Sequence, residues 1–157
     1  MEQPDNPPTG TEPDRILREL WRTKQAPSSG QLLRILGHLS NAAFGSASQS
    51  ASAHLAKRIY EDGEWHYSTT VAQYLADLQS VFGRPDAGLY LFERRGGLML
   101  LGVVSTGSVI DQARKGPRSK SLLAVFYSVD RGRMVSGYQI QTVIKRGIPE
   151  DGLWLRR

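Results

Sequence analysis

The stretch TVAQYLADLQSVFGRPDAGLYLFERRGGLMLLGVV, residues 70–104, decides the fold class. Val71, Tyr74, Leu75, Leu78 and Phe82 recur three and four residues apart, which places them on one face of a helix. Thr70, with Gln73 three residues on, forms a capping box at its start. Gly83-Arg84-Pro85-Asp86 ends that helix, because proline cannot continue the hydrogen-bond ladder. Beyond Pro85 the period changes. Leu89-Tyr90-Leu91-Phe92 is a β-favoured run, Gly96-Gly97 is a turn, and Leu98 to Val104 is the return strand of a hairpin.

Downstream, residues 105–120 mix Ser, Gly, Asp, Arg, Lys and Pro in a connection longer than usual, the kind that often carries function. Ser121 to Val129 reads as a third strand, Asp130-Arg131-Gly132-Arg133 as a turn and Met134 to Val143 as a fourth strand. After a loop at 145–152, Leu153-Trp154-Leu155 adds an edge strand. Upstream, residues 49–60 carry Ala51, Leu55, Ile59 and Tyr60 at helical spacing. Two further helices precede them. One holds Ile16, Leu17, Leu20 and Trp21 behind an Asp14 N-cap; the other holds Leu32, Leu33, Ile35, Leu36 and Leu39, with Pro27 to Gly30 as the break between the two. Residues 1–13 read as a disordered, Pro-rich tail and residues 40–50 as a flexible link. The expected plan is therefore a helical appendage at 14–48 and a core domain at 49–157. Helices first and a strand meander afterwards define an α+β fold, with a four- or five-stranded antiparallel sheet packed on the helix at 70–82 and its other face free to bind.

A chain of 157 residues with 39% apolar and 22% charged side chains has the composition of one globular domain. The absence of cysteine excludes disulfides, thiolate catalysis and Cys-ligated metal sites. No apolar run approaches a membrane span and the acidic, Pro-rich start is unlike a signal peptide, so a soluble cytoplasmic protein with no membrane partner is expected. The net charge of +5 is unevenly spread: residues 1–93 hold 8 basic and 11 acidic side chains, residues 94–157 hold 12 and 4. A balance of +8 on the strands favours an anionic partner, RNA among them, although Lys and Arg also protect exposed strand edges. The basic residues that stand in turns and loops are Arg94, Arg95, Arg114, Lys115, Arg118, Lys120, Arg131 and Arg133.

Gly-rich phosphate loops, dinucleotide fingerprints, nucleophile elbows and His-Glu-x-x-His are missing, and neither a metal nor a cofactor is expected. What remains is distributed. His66, in the loop Glu64-Trp65-His66-Tyr67-Ser68-Thr69-Thr70, is suited to general acid or base work; the plainer alternative is a capping histidine. His54 follows the same logic among helix-surface neighbours, and His38 is expected to be structural. On the fourth strand, simple alternation puts Met134, Ser136, Tyr138 and Ile140 on one face and Val135, Gly137, Gln139 and Gln141 on the other, a mixture that suits a binding face or a wet edge strand.

Val125, Tyr127, Asp130, Gly132, Met134, Val135, Ser136, Gly137 and Tyr138, following helices and preceding no alternating α/β repeat, make this chain resemble the barnase/EndoU/colicin/RelE (BECR) class of small metal-independent ribonucleases. The layout covers about residues 50–157, the motif only the third and fourth strands. The resemblance implies cleavage of RNA by 2′-hydroxyl attack on the adjacent phosphate, with His66, Arg95, Lys115, Arg118, Ser136 and Tyr138 as catalytic candidates. Only Ser136 and Tyr138 lie within the motif. Ser136 stands where many relatives carry threonine, and a second well-placed histidine is missing. Arg94, Arg114, Lys120, Arg131, Arg133 and Gln139 are the expected substrate-binding set, with Tyr90, Tyr127 or Trp154 stacking bases if they face outward. An acidic immunity or antitoxin protein is the partner this class implies. Two other readings stand beside it: a non-catalytic nucleic-acid or acidic-protein binding module using the basic sheet, and a helix-mediated interaction protein docking through Leu17, Leu20, Trp21, Leu32 and Leu36.

Overall fold

The computed structural model describes residues 11–45, 50–110, 114, 120–141 and 148–157. Four helices come first: α1 (Glu12–Thr23), α2 (Ser29–Leu39), α3 (Ala51–Tyr60) and α4 (Val71–Gly83). Five strands follow: β1 (Gly88–Arg94), β2 (Gly97–Ser105), β3 (Leu122–Ser128), β4 (Arg133–Ile140) and β5 (Leu153–Arg156). The strands pair antiparallel in the order β4-β3-β2-β1-β5, so this is an α+β fold with the short C-terminal strand on the β1 edge. No helix among the described residues is long and apolar enough to cross a membrane.

Capping residues set three of the helix starts, and one differs from expectation. Thr70 caps α4 with Gln73, and Ser28 caps α2 with Gln31. Asp14 is not the N-cap of α1. Thr11 is, and Asp14 is the third helical residue, returning the capping-box bond to the Thr11 backbone. Residues 11–13, read as tail, thus belong to the helix start; residues 1–10 lie outside the described residues.

The helix-covered face of the sheet presents Leu89, Leu91, Leu100, Leu123, Val125 and Tyr127 to Tyr74, Leu78, Val81 and Phe82 of α4. Two glycines let α4 approach. A Cβ at Gly137 would lie 2.4 Å from Leu78 Cδ2, and one at Gly102 would lie 2.7 Å from Phe82 Cε1. Leu17 and Leu20 of α1 and Ile35 and Leu39 of α2 join this same cluster. The segment expected to be an appendage therefore shares the core of the sheet. A buried polar clamp reinforces it: the Tyr127 hydroxyl donates to Asp14 Oδ1 at 2.7 Å, and His38 Nε2 lies 3.1 Å from the same hydroxyl.

Part of the expected link is also fixed. The Met134 N–H donates to the Ala43 carbonyl at 2.8 Å and the Gly45 N–H to the Met134 carbonyl at 3.0 Å, making a parallel bridge between Phe44 and Met134. This bridge accompanies a β-bulge. Phe126 pairs with Ser136 but Tyr127 pairs with Met134, so Val135 is the extra residue. The bulge breaks simple alternation: Met134 turns onto the helix-covered face, while Ser136, Tyr138 and Ile140 stay on the other.

That other face is not an open platform. Tyr90, Phe92, Leu101, Val103, Ala124, Phe126 and Ile140 form a second buried cluster with Ile148. Residues 148–152 are held over it by Tyr90, whose hydroxyl donates to the Pro149 carbonyl at 2.5 Å and accepts from the Gly152 N–H at 2.8 Å. The sequence pattern hid this because large aromatic residues on alternate positions suit either a covered or a bare face.

Candidate nucleic-acid interface

Two turns lie side by side at one end of the sheet. In the β1–β2 turn, Arg94 pairs with Gly97, and the two residues between them, Arg95 and Gly96, have φ of 52° and 79°. A two-residue hairpin with both central residues left-handed matches the strand twist and normally carries Asn, Asp or Gly. An arginine there costs about 1–2 kcal/mol of backbone strain and puts its guanidinium at the exposed tip. The β3–β4 turn is laced to it through Asp130. One carboxylate oxygen accepts from the Leu98 N–H at 3.3 Å, and the other faces the Arg18 guanidinium of α1 at 3.4 Å. Gly132, at φ 68°, lets this turn close, and exposed Arg131 and Arg133 flank it.

The register puts Arg94 and Arg133 on the face opposite the helices, with Ser136 and Tyr138. Phe126 is the floor between them. The Arg94 guanidinium lies 5.4 Å from the Phe126 ring and 5.6 Å from the Phe92 ring, and Tyr138 leans on Phe126 at 5.5 Å. On the far side of Tyr138, the Arg58 guanidinium of α3 sits 5.1 Å from its ring. These stacked cations hold their charge beside aromatic surface. Burial pushes the Tyr138 hydroxyl pKa up, against the opposing pull of Arg94 and Arg58, so at neutral pH the phenol is protonated and able to donate. Guanidinium forks and hydroxyl donors together suit phosphate oxygens.

The remaining candidates lie elsewhere. Glu64 accepts the Gln139 N–H at 2.8 Å, at the opposite end of β4 from the turns, and His66 follows two residues on. The arginine tip and His66 are thus separated by about the length of a seven-residue strand, roughly 20 Å. Nor is the His66 ring poised as a base. Its Nδ1 accepts the Ser68 N–H at 3.1 Å, with the Ser68 hydroxyl 2.7 Å away. In the neutral ring that arrangement places the proton on Nε2 and leaves no second lone pair for a substrate proton. His54, read as a helix-surface residue, is buried against Phe44 at 5.0 Å. Burial, with Arg58 and Lys57 nearby, pulls its pKa down.

Three expected substrate-binding residues are engaged within the protein. Arg114 makes a two-pronged ion pair with Asp77 at 2.7 and 3.1 Å, and Asp77 also accepts from Trp65 Nε1 at 3.0 Å. Lys120 pairs with Glu64 at 2.8 Å, and Gln139 is buried with its amide on the Glu64 carbonyl. Lys115 and Arg118 lie outside the described residues. Tyr127 faces the helices rather than a ligand, while Tyr90 and Trp154 pack together at 4.8 Å on the second face. Arg58 is the residue that sequence reasoning missed; its place on the basic stripe of α3 gave no sign that it reaches β4.

What the fold and site define is an α+β protein whose arginines gather at two adjoining turns and along the neighbouring sheet face. Comparisons with protein-family models, with curated proteins and with solved structures find no match.

Proposed function

We propose that this chain binds the sugar–phosphate backbone of RNA at the two-turn end of its sheet and does not cleave it. One observation carries the reading: Arg94, Arg95, Arg131 and Arg133 come from turns far apart in sequence but adjacent in space, with Ser136 and Tyr138 on the same face. RNA is the polyanion suggested by the resemblance of residues 125–138. Binding without turnover is favoured because the exposed histidine stands at the other end of the sheet with its basic lone pair engaged.

The test is a titration of single-stranded RNA against the protein in EDTA, followed by gel analysis of the RNA. Four arginine–phosphate contacts predict that log K falls with log salt at a slope of roughly −3, near −0.7 per phosphate on a single strand. The RNA should stay intact. Cleavage that survives EDTA and is lost in His66→Ala would restore the ribonuclease reading.

A further inference from the structure

Away from the arginine end, α2 and the end of α4 enclose a groove of about 400 Å³. Its walls are Leu33, Leu36, Phe82 and Pro85, and the charged residues lining it are Arg84 and Arg156. Leu33 stands on the rim with 72% of its surface exposed, the kind of isolated apolar exposure that gains meaning only beside an apolar hollow. The docking residues expected from sequence do not form this surface, because Leu17 and Leu20 are buried in the core.

Two features define an occupant. The first is room: Gly37 of α2 lines the groove, and a Cβ added there would meet nothing within 4 Å. A mid-helix glycine weakens a helix relative to alanine, so its open side leaves space for a partner's side chain at a local loss of stability. The second is charge. Arg156 is pinned across the groove end, donating to the Ala87 and Arg84 carbonyls at 2.9 Å each, and Arg84 beside it is half-buried. Arg34 is exposed on the next position after Leu33.

From this we infer that the α2–α4 groove docks an amphipathic helix of a partner protein, one that inserts leucine-sized side chains beside Leu33 and Leu36 and sets carboxylates against Arg84 and Arg156. Helix-in-groove recognition joins an apolar stripe to an apolar channel, and opposite charge at the rim fixes its direction. A second copy of this chain fits less well, because a two-fold pairing of this face would set arginines against arginines. The inference is independent of RNA binding, which uses the other end of the sheet.

The experiment uses the full chain and a fluorescent amphipathic peptide of about four helical turns with leucine on one stripe and glutamate flanking it. One control peptide replaces the leucines with serine and another replaces the glutamates with lysine. The acidic peptide should bind, and Gly37→Gln, which fills the open space with a better helix former, should weaken binding about tenfold or more without lowering the melting temperature. Leu33→Ser should also weaken it. No binding to the unmodified chain, equal binding of the lysine peptide, or unchanged binding by Gly37→Gln overturns the inference. So does a concentration-dependent dimer in sedimentation velocity that Leu33→Ser dissolves, which would give the groove to a second copy.

Discussion

Tyr127→Phe removes one hydroxyl from the point where α1, α2 and β3 meet. The carboxylate it leaves behind, Asp14, is 1% exposed. Its other contacts are long: the Thr11 N–H and hydroxyl at 3.4 and 3.3 Å, and His38 Nε2 at 3.9 Å. Losing a donor to a buried charged group costs about 1.5–3 kcal/mol, and a chain of this size melts roughly 2–4 °C lower per kcal/mol, so a drop of about 4–8 °C is expected. The pH dependence makes the test specific. Burial, and then the bond to Asp14, raise the Tyr127 pKa in the folded protein above its unfolded value near 10. A raised folded pKa means the phenol's contribution is complete below about pH 10 and is lost as pH rises beyond it, by up to about 1.4 kcal/mol per unit. The stability gap between wild type and Tyr127→Phe should therefore shrink between about pH 9 and 11, measured by urea unfolding at each pH. Tyr74 and Tyr138, also raised by burial, weaken both proteins alike over that range. A variant as stable as wild type at pH 7, or a gap that does not change with pH, would refute this account of the clamp.

Gly137→Ala should destabilise by about 1–3 kcal/mol in chemical denaturation, because the added methyl meets Leu78 at 2.4 Å, and Leu78→Val in the same chain should recover part of the loss. Arg95→Asn keeps a residue tolerant of the left-handed turn, so thermal melting should be unchanged or slightly higher while RNA affinity falls. Asp77→Asn breaks the pairing to Arg114 and disturbs Trp65, and should cost about 3 kcal/mol with a change in tryptophan emission.

The elements most legible in the sequence are those whose signals are local. Thr70 and Gln73 announce α4, Gly96-Gly97 announces the hairpin, and Leu153 to Leu155 announces the edge strand, because capping and turn chemistry need only a few neighbours. What depends on distant residues was hidden. The bulge at Val135 arises where residues 43–45 bridge Met134, and no pattern within β4 forecasts that contact. Likewise, Arg114 and Lys120 look like free cations in a loop until the fold brings Asp77 and Glu64 beside them. The candidate site divides the same way. Arg94, Arg95, Arg131 and Arg133 were readable as turn residues, whereas Arg58 on α3 joins Tyr138 only in three dimensions. His66 illustrates the opposite error, since its residue type suggested catalysis and its Ser68 contact makes it a local cap.

The central claim is tested most directly by the salt dependence of RNA binding in wild type and in the double variant Arg95→Asn, Arg131→Gln. The account predicts intact RNA in EDTA, affinity that falls steeply with salt in wild type, and a slope reduced by roughly 1.4 in the double variant, two phosphate contacts fewer. An identical slope in both proteins, or no binding at low salt, would contradict it.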